Sequence, residues 1–489
     1  MTEEFIKEYD KTQKINFLHF EKSCGLLERA YSCAHKTKDD EIIIFLDERA
    51  YLSKSTILEQ INAEFKNFDI WLLYGSCFND KTKRLEKAIN TYPSKLFTCS
   101  ARSLNWRPCL LKAFYSSLFK KVSMQDFFFR GKFFSSDFDA SYMFPLIELS
   151  KNHTKYISKS ICSYLPKETK DFLPCDIANI KCRRKIRFSK SYKSLKNLTF
   201  NKEENEKKAD MIIFSYHRPL QLYALLESIE KYVKGLEKIS VIYRCDEEKY
   251  KMGYEKLKKR FKTIHFILQS SDPKKDFKPL LLKTIKSSNK FLIFSVDDII
   301  FKDHVDMTFC INNLQKTKSY FFSLRLGDNI TYHYMDNYNQ PIPHHVMLFD
   351  QIMGWHIDAA KGDFFYPTSV DVTIYRKKDI LDDFSKISFD TPNTLEINWF
   401  DYYKKKHLKK DRYRTGLSFV KSKAVNIPFN LVNISQNRNM EIFSTDFLLD
   451  KFNKNFILDI SSIEKTQNFS VHMEIEPKFL KDNEKSNHH

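Results

Sequence analysis

The ten cysteines of this 489-residue chain include no CxxC pair. Cys175 and Cys182 stand seven apart with no histidine nearby. That spacing argues against a zinc site and fits unpaired thiols in a reducing compartment. Also lacking is any apolar run of about 18 residues, the length a membrane-crossing helix needs. Met1-Thr2-Glu3-Glu4 is acidic and no apolar segment follows it, so no secretory signal is expected. These absences point to a cytoplasmic protein, touching the inner face of a membrane at most peripherally, through basic residues. A nucleic-acid partner is not expected either. The basic run from Cys182 to Lys196 has no aromatic stacking platform or groove-reading motif beside it. It reads as a solvated linker.

What the chain does have is length and apolar content. Hydrophobic residues make up 42%, which excludes a disordered chain, and 489 residues suit two or three domains. Lys and Arg number 81 against 62 Asp and Glu, for a net charge of +19. The excess is spread along the chain, so phosphate-bearing small substrates or plain solvation account for it as well as a polyanion would.

The most informative stretch is Phe291-Leu292-Ile293-Phe294-Ser295-Val296-Asp297-Asp298. A continuous apolar run of strand length suits a strand covered on both faces. In such sheets ligands bind beyond the carboxyl ends of the strands, where Asp297 and Asp298 fall. Two acids there can hold a hard divalent cation, Mn²⁺ or Mg²⁺, and through it phosphate oxygens. Before this stretch the chain alternates strand and helix. Met211–Phe214 leads through Ser215-Tyr216-His217-Arg218 to Pro219, which suits a first helical position. Leu222, Leu225, Leu226 and Ile229 then give that helix one apolar face. Ile239–Tyr243 and Ile264–Leu268 are further strands, with helices after each.

The first half carries related signals. Residues 41–46 and 68–75 read as strands, and 53–65, 106–121 and 141–149 as helices. Phe45-Leu46-Asp47, Trp71-Leu72-Leu73-Tyr74-Gly75, Tyr92-Pro93-Ser94, Trp106-Arg107-Pro108 and Met143-Phe144-Pro145 resemble the later part of a family 2-type GT-A glycosyltransferase, as does Asp139. Residues 209–435 resemble the same family, through the Ser215–Pro219 loop, Asp246 and the Asp297-Asp298 pair. The resemblance implies two GT-A-like α/β units in tandem, Rossmann-like with mixed central sheets. The first is truncated and degenerate, because only 46 residues precede Asp47 and Arg49 puts a cation where a metal would sit. The organisation expected is a first unit over 1–165, a basic linker over 166–208, the catalytic unit over 209–440 and a C-terminal extension over 441–489.

For function, the resemblance implies transfer of a sugar from a nucleotide-diphosphate donor, with UDP-sugars foremost, to a glycan, lipid or protein acceptor. Ser215, His217, Arg218 and Asp246 would contact the nucleotide, Arg325 would hold phosphate, and Asp297 and Asp298 the metal. The base that takes the acceptor proton is expected at Asp371, Glu396 or Asp363. Glu396 also admits a plainer account, as an acid near the start of a helix or the partner of Asn393 in a capping box. Trp355 could offer a face to a sugar ring or belong to the core.

Overall fold

The computed structural model describes residues 25–46, 50–66, 69–86, 101–103, 111–136, 138–165, 177–200, 207–348, 351–407, 415–430, 443–464 and 466–482. The fold is mixed α/β, with two large sheets in tandem.

The second sheet positions the site. Its strands β1 (Ala209–Tyr216), β2 (Leu236–Arg244), β3 (His265–Leu268) and β4 (Phe291–Val296) run parallel in the order β3-β2-β1-β4. Helices α1 (Pro219–Tyr232), α2 (Glu248–Arg260) and α3 (Pro273–Ser287) make the crossovers. β1 and β4 are buried along nearly their whole length, which is why their sequences are continuous apolar runs rather than alternating ones. Pro219 opens α1 as expected, and Leu222, Leu225, Leu226 and Ile229 are all buried beneath it. After α4 (Met307–Thr317) the chain adds β5 (Phe321–Ser323), β6 (His345–Leu348), β7 (Ile352–His356), β8 (Thr373–Arg376), helices α5 (Lys377–Lys386) and α6 (Pro392–His407), and β9 (Thr415–Phe419). These extend the sheet past β4 in the order β8-β5-β9-β7-β6.

The first sheet repeats part of this pattern. Ile42–Phe45, Lys112–Tyr115, Leu72–Asn79 and Thr154–Tyr164 are adjacent in that order, paired antiparallel, antiparallel and parallel. β4, β8, β5 and β9 have the same senses in the same order. Ala50–Leu52 then pairs with the end of the last strand, much as Ile299–Phe301 pairs with Ala424–Asn426 just beyond β9. Among the described residues, nothing in the first sheet corresponds to β1, β2 and β3.

Three expectations for this half need correction. Residues 106–121 are not one helix: where described, they form the strand Lys112–Tyr115 and a four-residue helix, Ser116–Phe119. Leu111, Ala113 and Phe114 are wholly buried between two strands, so tertiary pairing overrides the local pattern. The thiols are not all unpaired, because Cys77 and Cys162 face each other on adjacent strands and are bonded, with Cα atoms 5.0 Å apart. A partnership 85 residues apart across a sheet leaves no local spacing to read. The basic run is not a solvated linker where described. Ile177–Phe188 is a helix, tied down by Arg102, which donates to Ile186 O at 2.6 Å and to both Glu148 carboxylate oxygens at 2.7 and 3.0 Å. Tyr192, Leu195, Leu198 and Phe200 then lie against the core. Asp47 and Arg49, with the Tyr92-Pro93-Ser94 and Trp106-Arg107-Pro108 motifs, lie outside the described residues.

One apolar core runs through both sheets, joining Leu27 and Tyr31 of the first unit to Val346, Leu348 and Ile352 of the second. Gly354 lets the two meet closely, since a Cβ there would lie 2.9 Å from the Met124 methyl. No helix among the described residues is long and apolar enough to cross a membrane.

Trp355 belongs to a second apolar cluster, with Phe321, Phe364 and Trp399 in the second unit: it is fully buried, and its indole N–H donates to Phe364 O at 3.0 Å. Trp355→Ala is therefore expected to cost about 3–5 kcal/mol of stability, read from the denaturant midpoint. A sugar platform would lose ligand binding with the midpoint unchanged.

Candidate functional site

A cavity of about 510 Å³ opens at the carboxyl ends of β1, β2 and β4. Phe214, Ile242, Pro273 and Phe277 give it an apolar wall, and Asp297, Asp298, Asp363, Asp371 and Glu396 a wall of carboxyl groups. Ser215, Arg218 and Arg325 line it too, so most of the residues singled out from the sequence converge here. His217 and Asp246 do not line it. The His217 ring stacks on Tyr250 at 4.0 Å, and its Nε2 accepts the Asp246 backbone N–H at 3.0 Å. The Asp246 carboxylate takes Arg244 Nη2 and the Tyr216 hydroxyl, each at 2.7 Å. Both residues thus brace the loops that follow β1 and β2 at the rim of the cavity.

The strand turn after β4 puts Asp297 and Asp298 around the guanidinium of Arg218, the residue just before α1. Arg218 Nη1 lies 3.1 Å from Asp297 Oδ1 and 3.3 Å from Asp298 Oδ2. Its Nε donates to Asn430 Oδ1 at 3.0 Å, and its Nη2 to Asn430 O. Asp297 Oδ2 accepts from Ser215 Oγ at 2.8 Å and from the Tyr216 N–H at 3.2 Å. Burial pushes the Asp297 carboxyl up to about 6; Arg218 opposes that rise and Asp298 adds to it.

The expected Mn²⁺ or Mg²⁺ does not fit these residues as they stand. A cation already lies between the two carboxylates. Among the described residues no group of three His, Cys, Asp or Glu side chains is placed to hold a metal ion.

A second cluster lies across the cavity, on the segment before β8 and the first turns of α6. Asp371 Oδ2 is 2.8 Å from Arg325 Nη1, which also donates to Asn426 Oδ1 at 2.6 Å. Asn426 Nδ2 donates in turn to Asp298 Oδ1 at 3.0 Å, so the two acid clusters share one hydrogen-bond network. Val372, a β-branched residue, has φ +36°, a strained conformation that sets the direction of its neighbour Asp371. Thr391 caps α6, its Oγ1 accepting the Thr394 N–H at 3.1 Å. Glu396 is not engaged with Asn393 as in a capping box: its Oε1 accepts the Val370 N–H at 2.6 Å. Asp363 is held by Gln340 Nε2 at 2.8 Å, with His333 Nε2 at 3.7 Å.

Burial raises all three acids. Glu396 reaches about 8, with Asp371 adding to the rise and the Val370 N–H opposing it. Asp371 is raised by burial against the pull of Arg325, and Asp363 by burial against His333 and Arg325. At neutral pH Glu396 therefore keeps its proton, and Asp371 beside its guanidinium is the better placed carboxylate.

Sequence reading assigned no role to Asn426, Asn430, His333 or Gln340. Asn426 and Asn430 stand in the stretch Asn426-Ile427-Pro428-Phe429-Asn430, and nothing in those residues says which distant side chains their amides meet.

Raised in the fold, Glu396 binds a proton that the unfolded chain releases near 4.5. Its contribution to stability is thus present below about pH 4.5 and falls away as pH rises towards 8. Glu396→Gln should match wild type in calorimetric melting near pH 5 and melt higher above pH 8. A parallel pH dependence in both proteins would show that Glu396 titrates normally.

No family model matches the sequence, and no curated protein matches it. Among solved structures, S. aureus TarS 1-349 in complex with UDP is similar at 15% identity and a TM-score of 0.29, over 44% of this chain and 58% of that one. Longer S. aureus TarS gives 15% and 0.25, over 36% of this chain and 29% of that one. The mannosyltransferase PcManGT from Pyrobaculum calidifontis, in complex with GDP-Man and Mn²⁺, gives 9% and 0.25, over 39% and 52%. The chain thus spans less than two thirds of each of these proteins. Likenesses this slight leave the functional assignment to the geometry of the site.

Proposed function

We propose that the second unit transfers a sugar from a nucleotide-diphosphate donor, UDP-sugars being the first candidates, to a hydroxyl of a glycan, lipid or protein. The observation that carries this reading is the placement of Asp371. Strained backbone and Arg325 hold it on the cavity that also meets the ends of β1, β2 and β4. Ligands of open α/β sheets bind at such strand ends, where the order reverses between β1 and β4. The apolar wall of Phe214, Ile242, Pro273 and Phe277 suits the flat face of a base.

In this reading Asp371 takes the acceptor proton as the new bond to the anomeric carbon forms and the bond to the diphosphate breaks. Glu396 holds its own proton, which leaves Asp371, beside Arg325, as the acid placed to accept one. The guanidinium groups of Arg218 and Arg325 meet the negative charge that builds on the leaving diphosphate.

The first unit we read as a degenerate copy; among its described residues no strand corresponds to β1, β2 or β3. Asp139, at the position the family uses for its base, lies 2.6 Å from Lys112 Nζ and accepts the Tyr142 hydroxyl at 2.9 Å. A buried lysine on the carboxylate removes both its charge and its access. One observation favours a second reading, a non-catalytic glycan-binding protein: Arg218 already closes the acid pair of the second unit.

The experiment is UDP release from a panel of UDP-sugars, with UDP binding followed by calorimetry. Asp371→Asn is expected to lower turnover roughly 100- to 10,000-fold while UDP still binds. Glycan binding without UDP binding or release would establish the second reading. Full activity in Asp371→Asn would move the base elsewhere.

A further inference from the structure

We propose that Arg218 is the resident cation of this site and that Asp297 and Asp298 hold it in place of a divalent metal. The claim rests on the occupancy of the four carboxylate oxygens. Asp297 Oδ1 takes Arg218 Nη1 at 3.1 Å, and Asp297 Oδ2 takes Ser215 Oγ at 2.8 Å and the Tyr216 N–H at 3.2 Å. Asp298 Oδ2 takes the same Arg218 nitrogen at 3.3 Å, and Asp298 Oδ1 takes Asn426 Nδ2 at 3.0 Å. Each oxygen faces a hydrogen-bond donor, and the Arg218 guanidinium fills the gap between the two carboxylates that a bridging metal ion would have to enter against its charge.

Asn426 cannot turn its amide to offer oxygen instead. Its Oδ1 accepts Arg325 Nη1 at 2.6 Å, which fixes the nitrogen towards Asp298. Nor is Arg218 a surface side chain that has swung in. It is 8% exposed, and Asn430 grips its other edge through both side-chain and backbone oxygens. A guanidinium stays charged at any pH at which the protein is folded, so it is a permanent cation where a metal would be an exchangeable one. Displacing it would strip a buried charge of two carboxylates and two further acceptors together.

The consequence for chemistry is a site that meets phosphate oxygens through nitrogen donors. Cation chemistry then needs no metal from solution. Only the nucleotide arm of the test below rests on the glycosyltransferase reading; the metal arm stands without it.

The test is Mn²⁺ titration of the full chain followed by electron paramagnetic resonance, where bound Mn²⁺ loses the signal of the free ion. Wild type is expected to leave the Mn²⁺ signal unchanged, with or without UDP, and its UDP affinity is expected to be the same in EDTA as in Mn²⁺. Arg218→Ala, which empties the space between the acids, is expected to take up Mn²⁺ and to melt higher when Mn²⁺ is added. The proposal is overturned if wild type takes up Mn²⁺ and Asp298→Asn abolishes that uptake, or if EDTA weakens UDP binding by an order of magnitude or more. Should Arg218→Ala fail to fold, the wild-type titration decides alone. Absence of UDP binding under every condition would defeat the donor reading, while the Mn²⁺ result would still stand for or against Arg218.

Discussion

The second unit is built around the contact of Arg218 with Asp297 and Asp298. It joins the ends of the two central strands, because Arg218 follows β1 and the acid pair follows β4. Two carboxylates this close and this buried would repel each other and be expensive to desolvate. The guanidinium between them removes that difficulty, and Ser215, the Tyr216 N–H and Asn426 satisfy the remaining oxygens. Replacing Arg218 would leave two buried carboxylates with no counter-charge.

From that contact the electrostatics of the cavity follow. Asn426 links Asp298 to Arg325, and Arg325 links to Asp371, whose charge pushes the Glu396 carboxyl upward. Six carboxyl groups, Asp390 included, and three guanidinium groups face one space, so full ionisation would make it hostile to a phosphate. Burial eases this by raising the acids, those beside a guanidinium included. Glu396 is the clearest case, raised to about 8 although the Val370 N–H, Arg325 and Ser369 oppose the rise. Glu396 is thus protonated at neutral pH, while the Asp371 carboxyl, also raised by burial, is held down by Arg325.

The parts of this arrangement that could be read from sequence are those encoded locally. β1 and β4 are continuous apolar runs, Pro219 marks a helix start, and Asp297-Asp298 interrupts an apolar strand at its end. Each signal fits within a few residues, so the parallel sheet and the acid pair were legible. The partner of the acid pair was not. Arg218 lies 79 residues before Asp297, and its sequence setting suited a nucleotide contact equally well. The same holds for Cys77 and Cys162, and for Lys112 and Asp139, which meet only once the first sheet has formed. Residues 111–119 show the opposite error. Their apolar density mimics a helix face, but two flanking strands claim Lys112–Tyr115.

The two units handle the same problem in different ways, and the contrast bears on how the site works. In the first, Lys112 meets Asp139 on strand and helix counterparts of β8 and α6, in the half where the base is expected. An ammonium there neutralises the acid that would have to accept a proton. In the second, the cation sits on the opposite side, at the end of β1, and the base side keeps Asp371 beside a guanidinium that cannot give up a proton to it. A lysine in the position of Arg325 could exchange its proton with the buried acid. Arginine instead keeps its own charge, and burial raises the Asp371 carboxyl against its pull, with Asp298 and Asp363 adding to the rise. Permanent cations on both sides thus take no part in the proton exchanges of the cavity.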